Sequence, residues 1–269
     1  MGRKKRRENK DNLNLVIIFC IFVFFLVFIS LSVKIISIIG RSSFDGNHRF
    51  TISIGKHNSN MSTEIVSVSP ETQVMTHIAI PNLTISQAQK RLEIPIDGEI
   101  VYSNGDKIGT NTDFGKAIIN YNSISTNLTI IDLIRLWLVV KTIPASNQKE
   151  IVFDSQESDL VLDKMSYSLL SDYSVIKEKL SIQIVNGTDI SGLGTRLARF
   201  ITNMGGNVVE VSTSDNSISK SQITSIEGMS YTASKLSKVL NFPLEKNKKG
   251  GVSDIVIIIG KDKLQSFVF

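Results

Sequence analysis

Leu13 to Val33, LNLVIIFCIFVFFLVFISLSV, contains no charged residue and no proline. At about 21 residues the run matches the ~20 that an apolar helix needs to cross a bilayer. In lipid every backbone N–H and C=O must be satisfied within the segment, so the run predicts a helix despite its many β-branched and aromatic residues. A membrane anchor is therefore expected over residues 13–39. A cleaved signal peptide is the competing reading, with an apolar region of roughly 7–15 residues and a small-x-small cleavage site. Here the run is longer, and Lys34-Ile35-Ile36-Ser37-Ile38-Ile39-Gly40-Arg41 offers no Ala-x-Ala. Arg3-Lys4-Lys5-Arg6-Arg7 lies ahead of the span. Basic residues beside a span stay in the cytoplasm. Residues 1–12 are thus expected as a cytoplasmic basic tail, and everything beyond Lys34 as extracytoplasmic, in a single-pass membrane protein.

The charge distribution agrees. The chain carries 30 Lys+Arg against 25 Asp+Glu. Four of its five net positive charges fall in the first 12 residues, which hold six basic side chains and two acidic ones. The remainder is near neutral, so the basicity marks topology. It is not the clustered basic face that nucleic acid requires, and no nucleic acid partner is expected. The single cysteine, Cys20, lies in the span. This leaves no disulfide, cysteine metal site or thiol nucleophile outside it. A tail this short also leaves no room for a cytoplasmic effector, which counts against a signal-relaying regulator.

Residues 40–49 (GRSSFDGNHR) read as a polar juxtamembrane spacer. Phe50–Ile54 alternates with period 2, Glu64–Val68 is a β-branched run, and Pro70–Gln73 is a turn before a third strand from Val74 to Ile80, which together predict a meander or hairpin. Asn104-Gly105 predicts a tight turn between Ile100–Tyr102 and Lys107-Ile108. Phe114–Ile119 reads as a short helix. Thr129 caps another that is apolar on more than one face and is expected to be buried. Ile151–Phe153 closes this region as a strand. An acidic stretch with Asp154, Glu157, Asp159 and Asp163 then reads as a solvated linker face. A linker helix is expected over residues 161–179, with Tyr167 to Leu180 as its apolar part.

Ser181 to Asp262 carries the clearest pattern. Ser181–Val185 is a strand that breaks into Asn186-Gly187-Thr188. Leu193, Leu197, Phe200, Ile201 and Met204 then fall on one face of a helix. Gly205-Gly206 ends that helix, Val208–Val211 is a second strand, and Gln222–Ile226 a third. Ser230 caps a helix bearing Ala233, Leu236, Val239 and Leu240. The wholly apolar Ile255–Ile259 predicts a buried central strand. The order β-α-β-β-α-β implies two crossovers that pack both helices on one sheet.

The stretch IQIVNGTDISGLGTRLARFITNMGGNVVEV, with TASKLSKVLNF and DIVIIIGKD after it, resembles the LytR C-terminal domain of bacterial envelope proteins. That domain often follows a LytR-CpsA-Psr (LCP) domain, whose enzymes move lipid-linked glycans onto peptidoglycan. Ile65–Thr72 with His77-Ile78-Ala79-Ile80-Pro81, and Ser125–Leu133, are similar to LCP segments. The family's Ile-Pro-Arg-Asp-Thr, however, reads Ile80-Pro81-Asn82-Leu83-Thr84 here. Pyrophosphate recognition uses guanidinium forks and Mg²⁺ uses carboxylates. Between residues 50 and 160 only Arg91 and Arg135 are arginines. The resemblance thus implies a degenerate LCP-like domain over 50–160 without catalytic residues, and a LytR C-terminal domain over 180–262.

Other constellations are weak. His48, His57 and His77 read as solvated loop histidines, so no metal and no cofactor are expected. Asn186-Gly187-Thr188-Asp189-Ile190-Ser191-Gly192 evokes a phosphate loop at a helix N-terminus, but it lacks the Lys-Ser/Thr of a P-loop. Its glycines suit a tight strand-to-helix turn. Equally, its amides can meet an anion or a partner's carboxylate, and Asn186, Gly187, Thr188, Asp189, Ser191 and Gly192 form the candidate binding site. The four Asn-x-Ser/Thr sequons are what an Asn- and Ser/Thr-rich chain produces by chance. The expected fold class is α/β: an N-terminal transmembrane helix, a small mixed α/β LCP-like remnant and a C-terminal β-α-β-β-α-β sandwich. The expected function is non-catalytic binding or scaffolding in the envelope, through peptidoglycan, a cell-wall glycan or another envelope protein. The alternative is an LCP-type glycan phosphotransferase with a rewired site.

Overall fold

A computed structural model describes residues 2–56, 62–102, 113–153, 157–226, 228–246 and 253–263. The chain divides into two units, Met1–Ser42 and Ser43–Phe269. The first is one helix, α1 (Gly2–Arg41). Its segment Val16–Arg41 contains an 18-residue stretch with a mean hydropathy of 3.2, none of it buried. Phe19, Phe22, Phe24 and Phe28 are all exposed. Apolar side chains all round a helix suit an apolar surrounding rather than one packed face, and α1 is long and apolar enough to cross a membrane.

The second unit is mixed α/β. Its first lobe contains β1 (Phe50–Lys56), β2 (Ser62–Ser69), β3 (Val74–Pro81), α2 (Ile85–Leu92), β4 (Gly98–Tyr102), α3 (Asp113–Ile119), β5 (Ile124–Thr126), α4 (Ile130–Thr142) and β6 (Gln148–Val152). The sheet order is β5-β4-β1-β2-β3-β6. β1, β2 and β3 form the expected antiparallel meander, while β4 and β6 run parallel to β1 and β3. One face of the sheet packs Ile52, Val66 and Ile100 against Leu133, Leu136 and Val140 of α4. The other packs Ile65, Ile78 and Ile80 against Ala88 and Leu92 of α2 and Leu162.

Several expectations change here. Asn104-Gly105 lies outside the described residues, and Ile100–Tyr102 has β1 on one side and β5 on the other. α2 was not anticipated, although Thr84 and Gln87 form a capping box at its start. Residues 43–49 are no free spacer. Phe44 is 1% exposed and Arg49 is buried. Ser43 N–H and Phe44 N–H donate to Asp132 Oδ1 at 2.9 and 2.8 Å. α4 is buried on one side only, because Ile134 and Leu138 are exposed. The linker helix is two helices, α5 (Asp159–Leu170) and α6 (Tyr173–Glu178). The chain breaks at buried Asp172, which N-caps α6 by accepting from Ser174 N–H at 3.0 Å.

The second lobe holds β7 (Ser181–Asn186), α7 (Leu193–Asn203), β8 (Asn207–Thr213), β9 (Gln222–Ser225), α8 (Tyr231–Leu240), β10 (Leu244–Lys246) and β11 (Ile255–Ile259). Its order is β10-β9-β11-β7-β8, with β11 central as expected and β10 an additional edge strand. The predicted face of α7 is buried in full. It shares one core with Ala233, Leu236 and Leu240 of α8 and with Ile182, Ile184, Ile255, Ile257 and Ile259, so both helices pack on one face of the sheet. Gly205 has φ +103°, and a Cβ there would meet Ile176 Cγ1 at 2.9 Å. The helix stop therefore needs glycine for conformation and for space.

Candidate functional site

The Asn186–Gly192 loop joins β7 to α7 and turns its polar groups largely on itself. Asn186 Oδ1 accepts from Thr188 N–H at 3.1 Å and Thr188 Oγ1 at 2.7 Å. Asn186 Nδ2 donates to Ile190 O at 2.9 Å. Gly187 N–H donates to Ile259 O, and its carbonyl accepts from Ile218 N–H. A Cβ at Gly187 would fall 2.6 Å from Ile218 Cβ. Asn186 and Thr188 are buried, whereas Asp189 and Ser191 are exposed. Asp189 pairs with Lys261 at 2.8 Å. All six predicted residues share one loop, in which Asn186, Gly187 and Thr188 close the turn while Asp189 and Ser191 face outward.

The Ile80-Pro81-Asn82-Leu83-Thr84 segment runs from β3 into α2. Asn82 adopts φ +65°, a conformation that Asn tolerates. Leu83 packs on the core beneath α2, and Thr84 caps the helix. No charged side chain projects from this turn. Three arginines, Arg49, Arg91 and Arg135, hold the fold together. Arg49 Nη1 donates to Ser67 Oγ and Leu169 O, each at 2.9 Å. Arg91 binds Asp159 Oδ1 and Glu157 O, each at 2.7 Å. Arg135 donates to Phe44 O at 2.7 Å. Among the described residues no group of three or more His, Cys, Asp and Glu side chains is placed to hold a metal.

Between α2, α5 and α7 lies a cleft of about 420 Å³. Arg199 Nε donates to both oxygens of Asp163, at 2.6 and 2.8 Å. Its Nη1 lies 3.5 Å from Glu93 Oε1 and 3.7 Å from Asp159 Oδ2. Glu93, itself at positive φ, is buried. Burial lifts its carboxyl above the usual range, against the pull of Arg199 and Arg196. Asn203 Nδ2 adds bonds to Leu92 O and Asp163 Oδ1. The acidic stretch is therefore half of a charged seam between the lobes. Asp154 lies outside the described residues. On another side of the lobes Tyr231 Oη donates to Asp172 Oδ2 at 2.7 Å, and Lys235 meets Asp97 at 2.8 Å. Sequence reading missed the cleft because it missed α2, whose Thr84-x-x-Gln87 cap was the available signal.

His77 is likewise no loop residue. It lies on β3, 6% exposed, with Nε2 3.1 Å from Glu64 Oε2 and Nδ1 3.6 Å from Glu150 Oε1. His48 stacks on Tyr231 and binds Asp45, and His57 is outside the described residues. Burial pulls the His77 pKa down, but the hydrogen bond and charge of Glu64, with Glu150 beside it, outweigh burial and raise it above 6.5. A raised histidine stabilises the fold fully below its unfolded pKa, and that contribution is lost as pH rises through the folded pKa. Urea midpoints of the chain in detergent should fall as pH rises above about 6.5. His77→Gln should flatten this slope, and an unchanged slope in the variant would refute the assignment.

Residues 179–262 match the family model described as LytR cell envelope-related transcriptional attenuator, and the resemblance read over residues 180–262 holds. No curated protein matches the chain. Among solved structures it is similar to the transcriptional regulator yvhJ from Bacillus subtilis, at 12% identity and TM-score 0.33 over 40% of this chain and 83% of that one. It is similar to B. subtilis TagV at 9% identity and TM-score 0.32, over 43% and 87%. Lin1025 from Listeria innocua overlaps at 11% identity and TM-score 0.20, over 82% and 95%. Overlaps at these scores carry no argument about fold or function.

Proposed function

With residues 179–262 a LytR C-terminal domain and the chain therefore cell-envelope-related, we propose that it is a membrane-anchored, non-catalytic binding or scaffolding protein of the envelope. In this reading α1 is a single-pass anchor with a cytoplasmic N-terminus, and the unit from Ser43 onward is extracytoplasmic. The observation that carries it is the uncharged Asn82–Leu83 turn between β3 and α2. Leu83 packs against the core, and Arg91, which lines the cleft with it, is held by Asp159 Oδ1 and Glu157 O. The turn itself carries Asn82 and Leu83, neither the guanidinium nor the carboxylate that a pyrophosphate–Mg²⁺ centre needs. The surfaces offered to a cell-wall glycan, peptidoglycan or a second envelope protein are the outward side of the Asn186–Gly192 loop and the charged cleft.

The test uses the full chain in detergent. It should co-sediment with purified cell-wall material and should not turn over a pyrophosphate-linked polyprenyl glycan with Mg²⁺ present. Turnover abolished by Arg91→Ala or Arg135→Ala would establish the phosphotransferase instead. Failure to sediment would remove the wall-binding role. Asp189→Ala combined with Ser191→Ala separates the two surfaces, since unchanged sedimentation places binding away from the loop. In protoplasts, added protease should remove a C-terminal tag and spare an N-terminal one, and the reverse pattern would overturn the topology.

A further inference from the structure

Four polar side chains surround one groove without being used by the fold. The groove, of about 560 Å³, is lined by Tyr167 of α5, Ile176 of α6, Lys179 just beyond it, Thr202 of α7, Gly205, and Asn207 at the start of β8. Its volume lies in the ~300–1,000 Å³ range of small-ligand sites. Tyr167 is 45% exposed, and Lys179, Thr202 and Asn207 are exposed as well. Among the described residues none of these four side chains has a hydrogen-bond or ion-pair partner. The contrast with the other two surfaces is chemical. In the Asn186–Gly192 loop Asn186 and Thr188 bind their own loop, and in the charged cleft Arg91 and Arg199 are held by Asp159 and Asp163. In this groove the polar atoms are left for an incoming group. Its floor is apolar and kept open. Ile176 is partly buried, and a Cβ at position 205 would fall 2.9 Å from Ile176 Cγ1, so glycine there leaves room above it.

We propose that this groove binds a sugar ring, with the C–H face of a pyranose on Tyr167 and Ile176 and its hydroxyl or acetamido groups on Thr202 and Asn207. A tyrosine ring offers a large apolar face with a polar tip. Hydroxyl and amide side chains both donate and accept, which matches sugar hydroxyls, whereas phosphate and carboxylate sites are built on guanidinium forks. Lys179 adds a single point charge and favours a ring that carries a carboxylate. The wall as the source of that ring rests on the envelope role proposed above; the ring chemistry does not.

The full chain, in a detergent without a sugar headgroup, is mixed with N-acetylglucosamine or N-acetylmuramic acid, which share a ring and differ by a lactyl carboxylate. Saturation-transfer difference NMR reads the binding. Both sugars should receive saturation, the acid more strongly. Tyr167→Ala should weaken both about tenfold, through the lost ring face and hydroxyl, and Lys179→Gln should remove the advantage of the acid. If Tyr167→Ala fails to fold, Asn207→Ala, at an exposed position, should still weaken both. No transfer to either sugar from a chain that sediments with cell-wall material would overturn the proposal and leave the envelope role standing. Transfer unchanged in the folded Tyr167→Ala and Asn207→Ala variants would overturn it too. Transfer that these variants lose, in a chain that does not sediment, would establish the sugar site and remove wall binding.

Discussion

Asp132→Ala should destabilise the folded unit by about 4 kcal/mol or more, since buried hydrogen bonds to a charged group are worth ~1.5–3 kcal/mol each before relaxation. Asp132 is fully buried and is the point to which two separate stretches of chain are tied. Its Oδ1 accepts from Ser43 N–H and Phe44 N–H. Its Oδ2 accepts from Thr129 N–H and Thr129 Oγ1, both at 2.8 Å. Alanine removes the acceptor and leaves four donors behind, some of which water can reach only if residues 43–44 lift away. That movement would expose Phe44. Asp132→Asn keeps the shape but presents an NH₂ to one pair of donors, and it should cost a good part of the same amount. Urea unfolding of the full chain in detergent measures both. A shift below about 1 kcal/mol for the alanine variant, the range of an ordinary single hydrogen bond, would show that the network carries no special weight.

Ile257→Ala should lower stability by about 2–5 kcal/mol, the usual range for emptying a buried Ile or Leu site. Ile257 is fully buried on β11, which pairs with β7 on one side and β9 on the other. Backbone on both sides of the strand therefore limits collapse into the cavity. Val209→Ala, at a β8 position that is 54% exposed, lies where β8 shifts register against β7. It should change stability by no more than about 0.5 kcal/mol. Equal effects at the two positions would contradict the assignment of β11 as the centre of the sheet.

The clearest local patterns became elements where they were expected. Leu197, Phe200, Ile201 and Met204 recur at helical spacing and are all buried, because a helix presents every third or fourth residue to the same neighbour. Ser230 and Thr129 cap helices as their positions suggested, because capping bonds reach only three residues along the chain. α2 had the same signal and was missed because its apolar positions, Ala88 and Leu92, are too few for a visible stripe. The α4 helix misled in another way. Its composition, apolar on more than one face, suggested a buried helix, yet Ile134 and Leu138 remain outside, and composition cannot say which apolar face the core will take.

By itself the sequence determined the long apolar helix, the meander and, but for β10, the order of strands and helices over residues 181–259. Run length, period and caps are properties of neighbouring residues, and chemistry at that range is written in the chain. Tertiary structure alone decided that Ser43 and Phe44 bind α4, that Asp159 and Asp163 pair with arginines, and that Asn186 and Thr188 use their polar atoms on their own loop. Ser43 and Asp132 stand 89 residues apart, Glu93 and Arg199 106. A charge at such a distance carries no mark of its partner until backbone packing has brought the two together and excluded the water that would otherwise have solvated each.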